Sequence, residues 1–353
     1  MNMMIKKAVA FLSAFALCTF VAGCSQAEKK SEETNQTKIY VISKSQDSYW
    51  EAVRTACEDV EAENKEISVT YTAPKTEDAE SQKNLIQQAV TDGAEVIIFA
   101  PVLAEGYEEV LQQADEKNIL LFTIDSDVNY SNIQCSLKTD NYAAAYLAGT
   151  KANEFLAETE AVGIVAHSLD TDNATAQARL TGFADQLQGI VTDKSGHYMP
   201  FEKKNEISGN SENNGSHELV IEDGAGDAEI SKEAAKKIIH ENPELKVLYG
   251  TNQPSTIGIC SAVDEMVRSG EITADDIQVV GFDFFDGAEA YIESGVLDGC
   301  VIQNPYNMGY LSLQYAVSAL QQKEIPEEMD TGAYLVTKEN LHDANIQFVI
   351  NPA

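Results

Sequence analysis

The feature that most constrains this chain is an alternation, carried through twice, of short β-branched runs and longer amphipathic stretches. Strand-like runs at 38–43, 67–72, 95–99, 119–124 and 133–137 are separated by helical periodicity over 47–64, 79–91 and 105–117. In the first of these helices Trp50, Val53, Cys57 and Val60 fall on one face. A long Ala-rich helix follows over 140–157, opened by Thr139-Asp140-Asn141 as a cap, and the pattern then restarts. The second set has strands at 162–166, 217–221, 246–249, 277–281 and 299–302, with helices at 172–187, 228–241, 255–269 and near 285–294. No hairpin signal joins neighbouring strands. Strand, helix, strand without hairpins means parallel sheets wound by right-handed crossovers, and two such sets mean two α/β lobes. At 353 residues and 44% hydrophobic content the chain can build two real cores. The polar stretch 192–215 reads as a long surface excursion within the second lobe.

In an open parallel sheet, ligands bind outside the carboxyl ends of the strands. The residues standing there are Asp47, Tyr49 and Trp50 after the first strand and Asp125 after the 119–124 strand. In the second lobe they are Arg179 on its first helix, Asn252, Asp283 closing Ile277-Gln-Val-Val-Gly-Phe-Asp283, and Gln303 beyond Cys300-Val-Ile302. Carboxylates, amides and one guanidinium bond adjacent hydroxyls two at a time, and aromatic rings cover apolar C–H faces. Such a set suits a polyhydroxylated ring. Two plainer readings stand beside this one. Asp283 can be the cap of the helix that follows it. Arg179, one of three arginines with Arg54 and Arg268, can be a helix-surface ion pair.

The N-terminus carries an address. Met1–Lys7 is short and basic, and Ala8–Val21 is almost wholly apolar but shorter than the roughly 20 residues that span a bilayer. Phe20-Val-Ala-Gly-Cys24 ends the run and resembles a bacterial lipobox, with Phe20 or Val21 where Leu is usual. That resemblance implies a signal peptide over 1–23, cleavage before Cys24 and a diacylglycerol on its sulfur. The alternative is an ordinary signal peptide with an incidental cysteine. The stretch 24–37 is polar and reads as a flexible tether. Cys57, Cys135, Cys260 and Cys300 show no C-x-x-C spacing and the five histidines do not pair at ligand spacing, so no metal site is expected and buried free thiols are preferred. The formal charge of −33 argues against nucleic acid or anionic lipid headgroups as partners.

The succession Ser43…Asp47-Ser-Tyr-Trp50, Phe122-Thr-Ile-Asp125, Thr139-Asp-Asn141, Arg179-Leu-Thr-Gly-Phe183, Tyr249-Gly-Thr-Asn252, Val280-Gly-Phe-Asp283 and Val301-Ile-Gln303 resembles the type I periplasmic sugar-binding proteins. These are the ribose- and galactose-binding relatives of the LacI-type repressor core. The resemblance covers the chain from about 38 onward. It implies two Rossmann-like lobes with parallel sheets joined by a three-strand hinge, the periplasmic binding protein type I fold. The N-terminal lobe is then 38–139 completed by 304–332, and the C-terminal lobe 140–303 completed by 333–353. The resemblance also implies that Asp125, Arg179, Asn252, Asp283 and Gln303 bond sugar hydroxyls while Tyr49 and Trp50 stack on the ring. Two positions depart from the ribose-binding pattern: Ser126 stands where an Arg follows the Asp, and Asp47 where Asn is usual. A pocket that has lost a cation and gained a carboxylate is expected, which argues against ribose itself. The nearest echo of a calcium loop, Asp170-Thr-Asp-Asn173, lacks Gly at loop position six and Glu at twelve, so no calcium is expected.

The expected function is that of a lipid-anchored, extracytoplasmic solute-binding protein, a monomer without cofactor. It captures a sugar or polyol and delivers it to the permease subunits of an ABC importer. The same body can instead present its ligand to a membrane sensor kinase. An enzyme is disfavoured because no G-x-S-x-G, Walker loop, zinc motif or G-x-G-x-x-G follows a strand. A repressor is excluded because the leader stands where a DNA-binding headpiece would.

Overall fold

The computed structural model describes residues 36–157, 160–189 and 217–351. The signal peptide, Cys24, most of the tether and the 192–215 excursion lie outside the described residues. The first sheet is laid down by β1 (Thr37–Ile42), α1 (Ser48–Glu63), β2 (Ile67–Thr72), α2 (Ala79–Thr91), β3 (Val96–Phe99), α3 (Glu108–Glu116), β4 (Leu120–Ile124) and β5 (Cys135–Lys138). The second follows as α4 (Asn141–Asn153), β6 (Ala161–Ala166), α5 (Ala174–Leu187), β7 (Leu219–Asp223), α6 (Ala228–Glu241), β8 (Leu245–Gly250), α7 (Gln253–Ser269), β9 (Gln278–Phe282), α8 (Ala288–Ser294) and β10 (Gly299–Gln303). The chain then returns through α9 (Pro305–Leu320) and β11 (Glu328–Asp330), and ends with β12 (Ala333–Val336) and α10 (Ala344–Ile350).

The strand orders are β2-β1-β3-β4-β5-β11 and β7-β6-β8-β9-β10-β12, the same doubly wound order in both lobes. The chain passes between sheets at three places: Thr139-Asp140, Asn304 and Thr331-Gly332. One pairing departs from the expected parallel sheets. β12 runs antiparallel to β10, with Cys300 opposite Val336 and Gln303 opposite Ala333. The reason is positional. Both sheets point their carboxyl ends at the shared cleft, so a strand that enters the second sheet from the hinge must run away from it. Two helices also start later than their periodicity predicts. α3 begins at Glu108, after Gly106 at φ 86°, and α8 begins at Ala288, after Gly287 at φ 98°.

Alternation along each strand sends neighbouring side chains to opposite faces, so each sheet is sandwiched between two cores. Ile39, Val41, Val96, Ile98, Phe122 and Ile124 meet α1 and α9 through Val53, Val60, Met308 and Leu313. Ile42, Ile97, Phe99 and Leu121 meet α2 and α3 on the other side. In the second lobe Val162, Ile164, Val247, Val280 and Phe282 pack on the alanines of α4 and on Leu180 and Phe183 of α5. Val165, Leu248, Val279 and Ile302 face α6, α7, α8 and α10. The four cysteines at 57, 135, 260 and 300 are buried free thiols.

Candidate functional site

β4 and β9 hold the same place in their sheets, and each ends in the same way. The residue after each strand, Asp125 and Asp283, adopts a left-handed conformation with φ 66°. Each donates its backbone N–H to the neighbouring strand's chain at 2.8 Å, Asp125 to Leu137 and Asp283 to Val301. Aspartate tolerates this conformation better than most residues, and the turn lifts its carboxylate off the strand end. Both carboxylates line one cavity of about 500 Å³ between the lobes.

On the first-lobe side, Lys44 from the loop between β1 and α1, Tyr49 from the first turn of α1 and the adjacent Ser126 meet Asp125. Lys44 Nζ lies 2.7 Å from Asp125 Oδ2 and 2.6 Å from Ser126 Oγ. The Ser126 hydroxyl donates to the same carboxylate at 2.9 Å, and the Tyr49 hydroxyl donates to Oδ1 at 3.1 Å. Burial pushes the Asp125 carboxyl up, but the Lys44 ammonium and the three donated bonds outweigh it and hold it below the ordinary carboxylate range. Burial likewise opposes the charge on Lys44, and Asp125 overcomes it and raises the ammonium. Burial, followed by the charges of Asp125 and Asp283, pushes the Tyr49 phenol well up, so it stays a neutral donor. Asp47 caps α1: its Oδ1 accepts the Tyr49 N–H at 3.0 Å and its Oδ2 accepts the Ser45 hydroxyl at 2.5 Å. Trp50 is 3% exposed and stands edge-on to Tyr49, with ring centroids 4.9 Å apart and planes at 84°. It packs in the core beneath and also lines the cavity.

The expectation that the pocket has lost a cation at Ser126 is corrected: Lys44, just past the end of β1, supplies one beside Asp125, in addition to Arg179 beside Asp283. Nothing in the pattern marked Lys44, because a loop lysine between two serines has no periodicity, and only the tertiary fold brings it to a carboxylate 81 residues away.

On the second-lobe side, Asp283 is flanked in the same manner. Gln303 Nε2 donates to Oδ1 at 2.7 Å, and Arg179 Nη1 lies 3.3 Å from Oδ2. Arg179 is 5% exposed, with its guanidinium 3.7 Å over the Phe282 ring, its Nε donating to Asn141 Oδ1 and its Nη1 donating to the Thr251 carbonyl, both at 2.8 Å. A surface ion pair is therefore excluded for it. Thr251 is tied to His167, whose N–H donates to the Thr251 hydroxyl at 2.8 Å and whose Nδ1 lies 2.7 Å from it. Burial and then the Arg179 charge lower the His167 imidazole to about 3, so it is neutral. Asn252 is the N-cap of α7, accepting the Ser255 N–H at 3.0 Å. The capping reading of Asp283 fails: α8 starts five residues later, at Ala288, and its cap position is Gly287.

Six of the eight expected residues line the cavity: Asp47, Tyr49, Trp50, Asp125, Asp283 and Gln303. Arg179 reaches it through Asp283, and Asn252 is occupied with its helix. Sequence reasoning missed Lys44, Glu77, Gln253, Phe284 and the C-terminal residues Val349, Ile350 and Asn351, all of which line it too. Among the described residues, the group whose metal-ligating atoms converge is Glu289, Glu293 and His342, exposed and outside the cavity.

Comparison with known proteins agrees with this architecture. The chain is 25% identical over 285 residues to the D-allose-binding periplasmic protein of Escherichia coli, which spans 77% of this chain and 80% of that one. An arabinose-binding protein, AraP from Geobacillus stearothermophilus, superposes with a TM-score of 0.72 at 20% identity, covering 87% of this chain and 98% of its own. A chain from a complex of XylFII with LytSN gives 0.67 at 22%, covering 87% and 99%. The family model for the periplasmic binding protein domain matches residues 39–324. With two like-wound lobes, three crossings and a cleft lined from both sides, the chain belongs to the periplasmic binding protein family.

Proposed function

We propose that this protein captures a neutral monosaccharide or related polyol between its lobes and hands it to the permease of an ABC importer, catalysing no reaction. One observation carries the reading: Asp125 and Asp283, at equivalent strand ends, face a common cavity, and each is matched by one cation and by neutral donors, Tyr49 and Ser126 for Asp125 and Gln303 for Asp283. A charge-balanced carboxylate accepts two hydroxyls while its flanking donors serve ring or hydroxyl oxygens, so a vicinal diol is bonded from both lobes. A sugar acid or phosphate would add negative charge to a cavity already lined by Asp47, Glu77, Asp125, Asp283 and Asp286. Relatives named for binding D-allose and ribose support the same class. Closure of the lobes about the three crossings then buries the ligand and offers one closed surface to a membrane partner. Delivery to a sensor kinase is the second reading, favoured by the likeness to XylFII taken in complex with LytSN.

The anchor belongs to the same proposal. Cleavage before Cys24 and lipidation of its sulfur hold the body at the outer face of the membrane, and Cys24→Ala should leave the chain uncleaved or released from the membrane fraction. The ligand reading is tested by thermal shift of the purified chain against pentoses, hexoses, inositols and polyols. A binder at a hundredfold excess over its Kd stabilises by about 2.7 kcal/mol. A screen in which no sugar or polyol raises Tm, while amino acids or other solutes do, would sink it.

A further inference from the structure

The first crossing between the lobes is concentrated in one residue. Asp140 donates its N–H to Asp330 Oδ1 at the end of β11, at 3.0 Å, and the same oxygen accepts the Gly332 N–H of the third crossing at 2.9 Å. Its own carboxylate caps α4. The amide side of Asp140 is therefore tied to the first sheet and its carbonyl side to the second lobe. At this crossing, a rotation of one lobe against the other passes through the two backbone torsions of Asp140, here φ −66° and ψ 93°.

One side chain spans those torsions. Asn141, the first residue of α4, donates from Nδ2 to the Thr139 carbonyl, on the first-lobe side, at 3.2 Å. Its Oδ1 accepts the Arg179 Nε–H at 2.8 Å. Arg179 lies in turn 3.3 Å from Asp283, whose other oxygen is held by Gln303 of the second crossing. Arg179 cannot move away from Asn141 with its helix, because α4 and α5 are in backbone contact: a Cβ on Gly182 would lie 2.2 Å from the Tyr142 carbonyl oxygen. The amide of Asn141 is thus shared between the hinge and the guanidinium beside Asp283. A turn at Asp140 that lengthens the bond to Thr139, already at the long end of the range, breaks it and frees the amide that orients Arg179.

We infer that Asn141 is a positioning residue that couples the angle between the lobes to the Arg179–Asp283 pair. It does not line the cavity and acts only through Arg179. The coupling is reciprocal. A ligand that fixes Arg179 on Asp283 favours the lobe angle at which Asn141 bridges, and that angle holds the guanidinium ready for the ligand. The inference rests on the reading that ligand binds between the lobes, and is independent of that ligand's being a sugar. A residue that merely opened α4 would be replaceable by alanine or aspartate, since the first turn of a helix accepts both.

Two variants separate the halves of the amide. Asn141→Ala removes both bonds, whereas Asn141→Asp keeps the acceptor for Arg179 and removes the donor to Thr139; melting curves report that each is folded. The first readout is the Nε–H spectrum of the ligand-free chain carrying isotope-labelled arginine, in which Arg54 and Arg268 are exposed and Arg179 is buried. Arg179 should give a slowly exchanging signal in the wild type, keep it in Asn141→Asp and lose it in Asn141→Ala. The second is small-angle scattering of the ligand-free chain, where both variants should change the radius of gyration. The third is calorimetric titration with D-allose and D-ribose, whose affinity should fall about 10-fold in Asn141→Ala, the worth of one bond to a charged group. An Arg179 signal that survives in Asn141→Ala would overturn the positioning role, as would an unchanged affinity for a sugar that binds the wild type. Superimposable scattering from the wild type and both variants would overturn the coupling. If neither sugar binds the wild type, that result counts against the sugar reading, and the two ligand-free measurements still decide this one.

Discussion

Replacing Lys44 by Met should destabilise the protein through Asp125, and the size of the effect follows from the pair's geometry. At 2.7 Å, with only 16% and 15% of the two side chains exposed, the gross attraction is about 6 kcal/mol at an effective dielectric near 20. Desolvation of both ions offsets most of that in the wild type. The variant keeps the cost of burying Asp125 and loses the partner. Removing one member of a fully buried pair costs about 3–5 kcal/mol. Here Tyr49 and Ser126 still donate to the carboxylate, so about 2–3 kcal/mol is expected, or a Tm lower by about 3–5 °C at pH 7. The sign with pH is also determined. In the wild type the Asp125 carboxyl lies below its unfolded value, so its contribution is present above about pH 4 and is lost as pH falls through the folded pKa. In Lys44→Met burial acts unopposed by the ammonium and moves the carboxyl up. The deficit should therefore shrink on acidification, because a protonated Asp125 needs no cation. Adding Asp125→Asn to Lys44→Met should recover much of the loss. The assays are melting curves of the two single variants and the double variant, with carbon NMR titration of the Asp125 carboxyl. A Lys44→Met protein that melts within 1 °C of wild type, with Asp125 titrating unchanged, refutes the argument that this pair is energetically coupled.

Asp283→Ala should weaken the best ligand of the sugar screen by about two to four decades, since each charge-assisted bond is worth roughly 1.5–3 kcal/mol; calorimetric titration showing unchanged affinity removes Asp283 from the site. The His167 imidazole, lowered to about 3 when folded against about 6.5 unfolded, should make stability constant above about pH 6.5 and falling below it. Urea midpoints between pH 7 and 5, a window above most carboxylates, should show this slope in wild type and lose it in His167→Asn; a flat wild-type profile contradicts it. Gly281→Ala should cost about 1–3 kcal/mol, because its Cβ would meet Thr256 Cγ2 at 2.3 Å and displace a hydroxyl that bonds both the N–H and the carbonyl of Phe282. A variant melting like wild type would mean the strand shifts without strain.

How much of this was legible in the chain depends on whether the signal is local. The strands and helices of both lobes announce themselves because alternation and helical periodicity are written into consecutive residues, as in Ile67–Thr72 and Ala79–Thr91, whose bounds the pattern gives directly. The site residues at strand ends follow from topology, which places ligands outside carboxyl ends before any side chain is located. What escapes the pattern is nonlocal. Lys44 matters only because β1 and β4 are separated by a single strand, β3, which lets its four-carbon stem reach across. Val349 and Ile350 lie in a short C-terminal helix that the pattern did not mark, and they reach the cavity only because of how α10 packs on the second lobe. β12 is antiparallel because of where the chain enters the sheet, which no residue in Ala333–Val336 encodes.

The two left-handed aspartates show why local rules alone could not decide whether Asp283 caps a helix or faces a ligand. Read by itself, a carboxylate three or four residues ahead of a helical pattern is a cap, and the sequence has several true ones: Asp47, Asp78, Asp140, Asn173, Asp227 and Asn252 each accept an N–H of the following helix. All six have φ between −66° and −155°. Asp125 and Asp283 instead sit at φ 66°, a conformation costing an L-residue roughly 1–2 kcal/mol and somewhat less for Asp. A cap needs no such conformation. What the left-handed turn does is let the backbone N–H complete the sheet while the carboxylate leaves the strand line toward the cleft. The same solution at the same topological point in both lobes, each time with a cation drawn from another element, ties the conformation to the pairing across the cleft rather than to either helix. The preferred reading of Asp283 thus comes from its partner in the other sheet, 158 positions earlier, more than from its own neighbours.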